Sequence, residues 1–282
     1  MSGDSHILAL SCPDRPGLVA GVTGLLAEHG GNITDAQQYN DPATDVFFMR
    51  IAADLPEADA FHEAFTGLAR ARGMDWTLRP AARRKRVLIA VSKFDHCLVD
   101  LIYRTRLGEL PMDIVGIVSN HPREAISISN LHGAPFHHLP ITKATKPDQE
   151  AAFAALIDET QAELVVLARY MQILSDGFAR QLAGRCVNIH HSFLPGFKGA
   201  RPYHQAHRRG VKIIGATAHF VTPDLDEGPI IAQGVEPIRH SDTPNQLVAK
   251  GRAIEQRVLA RAVKALVEDR VFLNGARTVV FD

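Results

Sequence analysis

Residues Cys186–Gly196 read CVNIHHSFLPG. An apolar run ends on two adjacent histidines, and Pro195, which cannot donate to a β-ladder, closes the stretch. Side chains alternate along a strand, so Asn188 and His190 share one face while Val187 and Ile189 take the other. Three upstream runs have the same short, Val- and Ile-rich character: RVLIAVS (86–92), DIVGIVSN (113–120) and ELVVLARY (163–170). The segments between them, such as DHCLVDLIYRTRLGEL (95–110) and DQEAAFAALIDETQ (148–161), read as helices. Apolar strands alternating with helices predict an α/β fold whose mainly parallel sheet is covered on both faces. Ligands bind such sheets beyond the carboxyl ends of the strands, where Asn188 and His190 stand.

The following elements differ. IIGATAHFVT (213–222) and IIAQGVEPI (230–238) read as strands added antiparallel, with Thr217 and His219 on one face. TPNQLVAKGRAIEQRVLARAVKALVEDR (243–270) predicts one long helix capped near Asp242 or Thr243, with Pro244 in its first turn. VFLNGARTVVF (271–281) carries an Asn-Gly turn between apolar runs and predicts a terminal hairpin.

Before residue 80 the order is strand, helix, two strands, helix, strand. HILALSC (6–12) opens it, and PGLVAGVTGLLAEHGG (16–31) is a helix with Pro16 in its first turn and Gly30-Gly31 at its stop. NITDAQQY (32–39) and DVFFMRIAA (45–53) flank a turn, EADAFHEAFTGLARARG (57–73) is a second amphipathic helix, and MDWTL (74–78) closes the set. This is a ferredoxin-like βαββαβ pattern. The basic stretch RPAARRKR (79–86) divides it from the rest. It reads as a solvated linker rather than a nucleic-acid patch, because 31 Lys and Arg balance 31 Asp and Glu over the 282 residues. The expected organisation is therefore residues 1–80, a linker 81–86, and a larger domain 87–282.

That charge balance offers no global field to recruit nucleic acid or an anionic membrane. The cysteines Cys12, Cys97 and Cys186 are scattered, which suits a reducing compartment better than a disulfide framework. MSGDSHILAL lacks the basic start and apolar length of a signal peptide, and no run approaches a membrane span, so a cytoplasmic location is expected.

An amide at Asn188, an imidazole at His190 and two carboxylates in TPDLDEGPII, Asp224 and Asp226, suit attack on a carbonyl carbon. The amide can donate to a developing oxyanion, and a carboxylate-held histidine can move protons near neutral pH. Spacing alone leaves this set open between a catalytic site and a satisfied structural network.

Two resemblances bear on the choice. DRPGLVAGVTGLLAEHGGNI (14–33) resembles an ACT domain, a regulatory module that often binds amino acids at a subunit interface. The resemblance implies an effector edge at Asp14, Arg15, Gly17 and Asn32, an effector such as glycine or methionine, and a homo-oligomer, with a tetramer expected. A ferredoxin-like module serving assembly alone is the competing reading. VNIHHSFLPGFKGARPYHQAHRRGVKIIGATAHFVTPDLDEGPII (187–231) resembles the folate-dependent formyltransferase fold, with a Rossmann-like sheet. It implies catalytic roles for Asn188, His190 and Asp226. It also implies a folate pocket along LARYMQIL (167–174), using Met171, Gln172 and Leu174, with Thr217, His219, Asp224 and Gly228 completing the substrate site.

Within that fold, transferases acting on glycinamide ribonucleotide carry a glycine-rich phosphate cradle at the first strand-to-helix turn. Here the turn is AVSKFDHCLVDL (90–101), with no glycine, although Lys93 or His96 could attract an anion. The chain also ends soon after its long helix, without room for a tRNA-binding domain. With both acceptors removed, water remains, and the combined features resemble the formyltetrahydrofolate deformylases. That implies hydrolysis of 10-formyltetrahydrofolate to tetrahydrofolate and formate, supplying formate for purine synthesis and balancing the one-carbon folate pool. Folate is then the substrate, with no cofactor and no metal. His191 fits the hydrolase pattern, as a supporting or a structural residue. Three alternatives stay open: a formyltransferase using a small amine such as glycinamide ribonucleotide, an inactive amino-acid sensor, and a metal-dependent hydrolase. The last is suggested by fourteen histidines but lacks HExxH or comparable spacing.

Overall fold

The computed structural model describes residues 5–196 and 202–282. Lys198 to Arg201 and their neighbour Phe197, part of the formyltransferase-like stretch, lie outside the described residues. The chain forms two compact units.

The first unit follows the βαββαβ order: β1 (Ser5–Pro13), α1 (Leu18–Glu28), β2 (Asn32–Asp41), β3 (Val46–Asp54), α2 (Ala58–Arg72) and β4 (Asp75–Pro80). The antiparallel sheet has order β2-β3-β1-β4. Leu18, Val22 and Leu26 of α1, and Phe61, Phe65 and Ala69 of α2, pack on Leu8, Leu10, Phe47, Met49 and Ile51. Gly17, at φ +86, starts α1 in the left-handed region that glycine tolerates.

Period two would turn Phe48 and Arg50 of β3 toward solvent, yet they are only 1% and 5% exposed. The C-terminal residues Glu268–Asn274 and Thr278–Asp282 belong to this unit and cover that face. Phe272 meets Phe48 edge-on at 5.7 Å, and Arg50 donates from Nε to the Glu268 carbonyl and from Nη1 to Asp35. Asn274 donates to Asp41 at 2.5 Å, and Arg79 pairs with Asp269 at 2.5 Å. The expected boundary at residue 87 thus differs from the compact units in two respects. Lys85 and Arg86 already belong to a strand of the second unit, and most of residues 268–282 return to the first.

The second unit holds a seven-stranded sheet of order β11-β10-β9-β8-β5-β6-β7. Its strands are β5 (Lys85–Val91), β6 (Met112–Ser119), β7 (Phe136–His138), β8 (Leu164–Leu167), β9 (Cys186–His190), β10 (Ile213–Phe220) and β11 (Ile230–Pro237). β5 through β9 pair in parallel, whereas β10 runs antiparallel to both β9 and β11. The helices are α3 (His96–Arg106), α4 (Lys146–Glu159), α5 (Asp176–Gln181), α6 (Pro202–Arg209) and the 24-residue α7 (Pro244–Val267). α7 begins with a capping box: Gln246 N–H donates to Thr243 Oγ1, and Thr243 N–H donates to Gln246 Oε1. Thr243, rather than Asp242, is therefore the cap. The terminal strands β12 (Val271–Asn274) and β13 (Arg277–Val280) pair as the expected hairpin.

Candidate active site

Parallel pairing sets Asn188 of β9 level with Leu167 of β8, and antiparallel pairing sets it opposite His219 of β10. His190, two residues on, faces Thr217. The carboxyl ends of β8 and β9 open into a cavity of about 980 Å³ inside the second unit. Asn188, His190, His219 and Asp226 line it with Met171, Gln172 and Leu174.

His190 Nδ1 lies 3.1 Å from Asp226 Oδ1. A carboxylate only accepts, so Nδ1 carries the proton. The other ring nitrogen, Nε2, is buried and has no hydrogen-bond partner among the described residues. Burial alone would raise the Asp226 carboxyl. The hydrogen bond from His190, helped by the surrounding His190, His219 and His191 rings, outweighs it and holds the group below its ordinary value.

His219 fixes the amide. Its Nδ1 donates to the Phe220 carbonyl at 2.8 Å, which leaves Nε2 as the acceptor of a neutral ring. Burial favours that neutral form and lowers the ring below its ordinary value, against the Phe220 carbonyl and Asp226. Asn188 Nδ2 stands 3.3 Å from Nε2 and donates to it, so the amide nitrogen is the end turned to His219. Its second N–H is not used by that contact.

Three residues expected at the substrate do not line the cavity. Thr217 is fully buried: its hydroxyl donates to the Ser192 carbonyl and accepts from Leu194 N–H, both at 3.0 Å. It holds the chain leaving His190, because the hydroxyl points to that turn. Asp224 is exposed, and its carbonyl accepts from the Thr222 hydroxyl as part of the loop's own turn. Gly228 is buried against the end of β10, where an added Cβ would lie 1.8 Å from the Phe220 carbonyl oxygen. Both shape the loop that delivers Asp226, which itself sits at φ +58.

A second polar group in the cavity wall escaped the sequence reading. Glu255 of α7, 2% exposed, accepts from Tyr203 Oη at 2.7 Å and pairs with His96 Nε2 at 2.8 Å. Arg169 Nε lies 3.3 Å from the same carboxylate, within ion-pairing range but outside hydrogen-bond geometry. Burial opposes the charge on Glu255, yet His96, Arg169 and Tyr203 together keep its carboxyl below the ordinary value. A carboxylate on the stripe Leu247, Gly251, Ile254, Val258 was the available signal. The ligand atoms of His96, Cys97 and Glu255 lie within 4.8 Å of one another, a spacing a metal could use. Their chemistry fits poorly. Burial pushes the Cys97 thiol well above its ordinary value, keeping it protonated, and Arg169 already supplies positive charge.

The turn after β5 holds no anion cradle. Asp95, at the start of α3, accepts from Ser127 N–H, its hydroxyl and Ile128 N–H. Negative charge therefore already occupies the helix N-terminus, and His96 is committed to Glu255.

In the first unit, the implied effector residues separate. Ser5, Asp54 and Asn32 are level at one end of the sheet, while Pro13, Val46 and Asp41 are level at the other. Asp14 follows Pro13 and accepts from Asn40 at 2.5 Å. Asn32 thus lies roughly 25 Å from the Asp14–Gly17 turn along the strands, at about 3.3 Å per residue.

Residues 85–263 match the formyl transferase family and residues 6–61 the ACT domain family. The formyltetrahydrofolate deformylase of Corynebacterium sp. (strain P-1) is 52% identical over 98% of this chain and 97% of its own. That of Escherichia coli (strain K12) is 40% identical over 97% of each. The crystal structure of the Burkholderia mallei formyltetrahydrofolate deformylase superposes with a TM-score of 0.95 at 54% identity, covering 99% of this chain and 100% of that one. A glycinamide ribonucleotide transformylase from Symbiobacterium toebii is more distant, with a TM-score of 0.63 and 30% identity over 71% of this chain and 95% of that one. With identity of this order running the length of both units, the chain belongs to the formyltetrahydrofolate deformylase family.

Proposed function

We propose that the protein hydrolyses the C–N bond of 10-formyltetrahydrofolate, releasing tetrahydrofolate and formate. The observation that carries this reading is the Asp226–His190 pair, 3.1 Å apart, beside Asn188 at a strand end that opens into the cavity. The folate lies along Met171–Leu174, where Met171 N–H is held by Ser92 Oγ at 2.9 Å. Water attacks the formyl carbon. The oxyanion receives the unused Asn188 N–H and the Nε2–H of protonated His190, each such donor being worth about 100- to 1000-fold. Asp226 orients His190 and accepts or relays the proton of the attacking water. When the C–N10 bond breaks, a proton passes to the departing nitrogen, and no cofactor or metal enters the balance. The formate produced would feed purine synthesis and relieve the one-carbon folate pool, in the cytoplasm.

Regulation through the first unit is part of the proposal. An amino acid such as glycine or methionine would bind at the Asp14–Gly17 turn with Arg15. Since one copy separates this turn from Asn32, a site using both needs a second copy, which supports a homo-oligomer; a tetramer is expected.

The test follows formate and tetrahydrofolate released from 10-formyltetrahydrofolate, with and without glycinamide ribonucleotide. Formate release without acceptor is the expected result. Turnover that requires the acceptor would make the protein a transferase.

A further inference from the structure

The fold does not by itself choose between water and an amine, since solved neighbours named as a glycinamide ribonucleotide transformylase and a phosphoribosylglycinamide formyltransferase share it. Something in this cavity has to make the choice. We propose that Arg169, braced by Glu255, fills the acceptor side of the cavity and so restricts the formyl group to water. The inference rests on the hydrolase reading above.

Arg169 stands at the carboxyl end of β8, two residues beyond Leu167, which is level with Asn188. Arg169 thus follows the end of β8 and lines the same cavity as Asn188 and His190, close enough for its charge to act on His191. Its backbone is at φ +65, a region that non-glycine residues seldom enter. That conformation is held from both sides: Ser92 N–H donates to the Arg169 carbonyl at 3.2 Å, and Ser92 Oγ accepts from Met171 N–H at 2.9 Å. The turn directs a long cationic side chain inward, where it is 9% exposed.

The guanidinium is fixed by groups from separate elements. Glu255 of α7 is 3.3 Å from Nε, and the ring of Phe94, after β5, lies 5.9 Å from the guanidinium carbon. Glu255 is in turn tied to Tyr203 of α6 and His96 of α3. Gly251, one turn before Glu255, makes room for Tyr203, because a Cβ there would lie 2.1 Å from the ring. His191 bridges the two polar groups, with its ring 5.2 Å from that of His190 and 6.3 Å from that of Tyr203. An amine substituent approaching this side would have to displace a buried ion pair. Water attacks without needing that space.

The experiment supplies purified full-length protein with 10-formyltetrahydrofolate and millimolar glycinamide, a small primary amine, at about pH 8.5, where most of it is the free base. The products are then divided into formate and N-formylglycinamide. In transfer, the amine nitrogen bonds to the formyl carbon, the C–N10 bond breaks, and the amine's proton goes to N10, with no change of oxidation state. Wild type and Arg169→Lys, which keeps charge and length, should give formate. Arg169→Gly, which suits φ +65, should raise the N-formylglycinamide share by about tenfold or more, the scale of discrimination available to one pocket contact. Arg169→Asn, also tolerant of that backbone, carries the same expectation should the glycine variant fail to fold. Substantial transfer by wild type, or folded, active Gly and Asn variants with an unchanged product ratio, would overturn the proposal. Folded variants releasing neither product would also overturn it, by placing Arg169 in hydrolysis itself. Failure of the hydrolase reading is distinct, since wild type would then release no formate in glycinamide's absence.

Discussion

Asp226 holds φ +58, a conformation that costs a non-glycine residue of order 1 kcal/mol and is sustained here by the loop around it. Its depressed carboxyl means that the pair with His190 stabilises the fold above the ordinary carboxylate range. That contribution disappears as pH falls through the lowered value. Asp226→Asn keeps the shape and removes the charge, so turnover should fall by about 100- to 10000-fold with the protein still folded. Near-wild-type kcat in a folded variant would remove Asp226 from the proposed mechanism. His191 behaves differently. Burial first, then Arg169 and His190, push it down to about 4, despite the opposing charges of Glu255 and Asp226. The unfolded ring titrates near 6.5, so the neutral folded ring contributes stability above that pH and loses it as pH drops toward 4. The contribution is at most roughly 3 kcal/mol. Urea unfolding of wild type and His191→Asn at pH 7 and pH 4.5 measures it. The variant should lose less stability on acidification, and equal losses would assign the acid sensitivity elsewhere.

At the scale of elements, the site depends on how a loop seats against a strand end. Phe220 N–H donates to the Pro229 carbonyl at 2.9 Å, and Gly228 packs where no side chain fits. Gly228→Ala should therefore lift the loop and move Asp226 from His190. We expect a loss of about 1–3 kcal/mol in stability and a fall in kcat larger than any change in KM. Kinetics at saturating folate together with calorimetry check this; unchanged kcat would mean that the loop tolerates the displacement. Element identity was readable in the local pattern: four strand runs with helical segments between them, the antiparallel addition, and a helix starting at Thr243-Pro244. β7, with three residues, and the short helices α5 and α6 were not. Segments this short carry too few residues for a period to emerge, and neighbouring elements decide their conformation.

For the whole molecule, the chain passes back to the first unit after Val267 and, apart from Gly275–Arg277, finishes on that unit's sheet. Deleting residues 268–282 would uncover Phe48 and strip Arg50 of the Glu268 carbonyl. This should destabilise the first unit by about 3 kcal/mol or more. Hydrogen exchange along β3 would report it, and unchanged protection would show that the sheet does not depend on the C-terminal cover. The described residues contain no helix long and apolar enough to cross a membrane. The amino-acid sequence alone determined the two architectures, the strand end bearing Asn188 and His190, and the Asp226 loop, because apolar periodicity, turn residues and motif spacing are local properties. Only the tertiary structure decided that Glu268–Asn274 and Thr278–Asp282 cover the first sheet, that Thr217, Asp224 and Gly228 support the site without lining it, and that Arg169 and Glu255 meet in the wall of the same cavity. The last two are 86 positions apart in sequence. Contacts at that separation follow from strand order and helix packing, which no local pattern encodes.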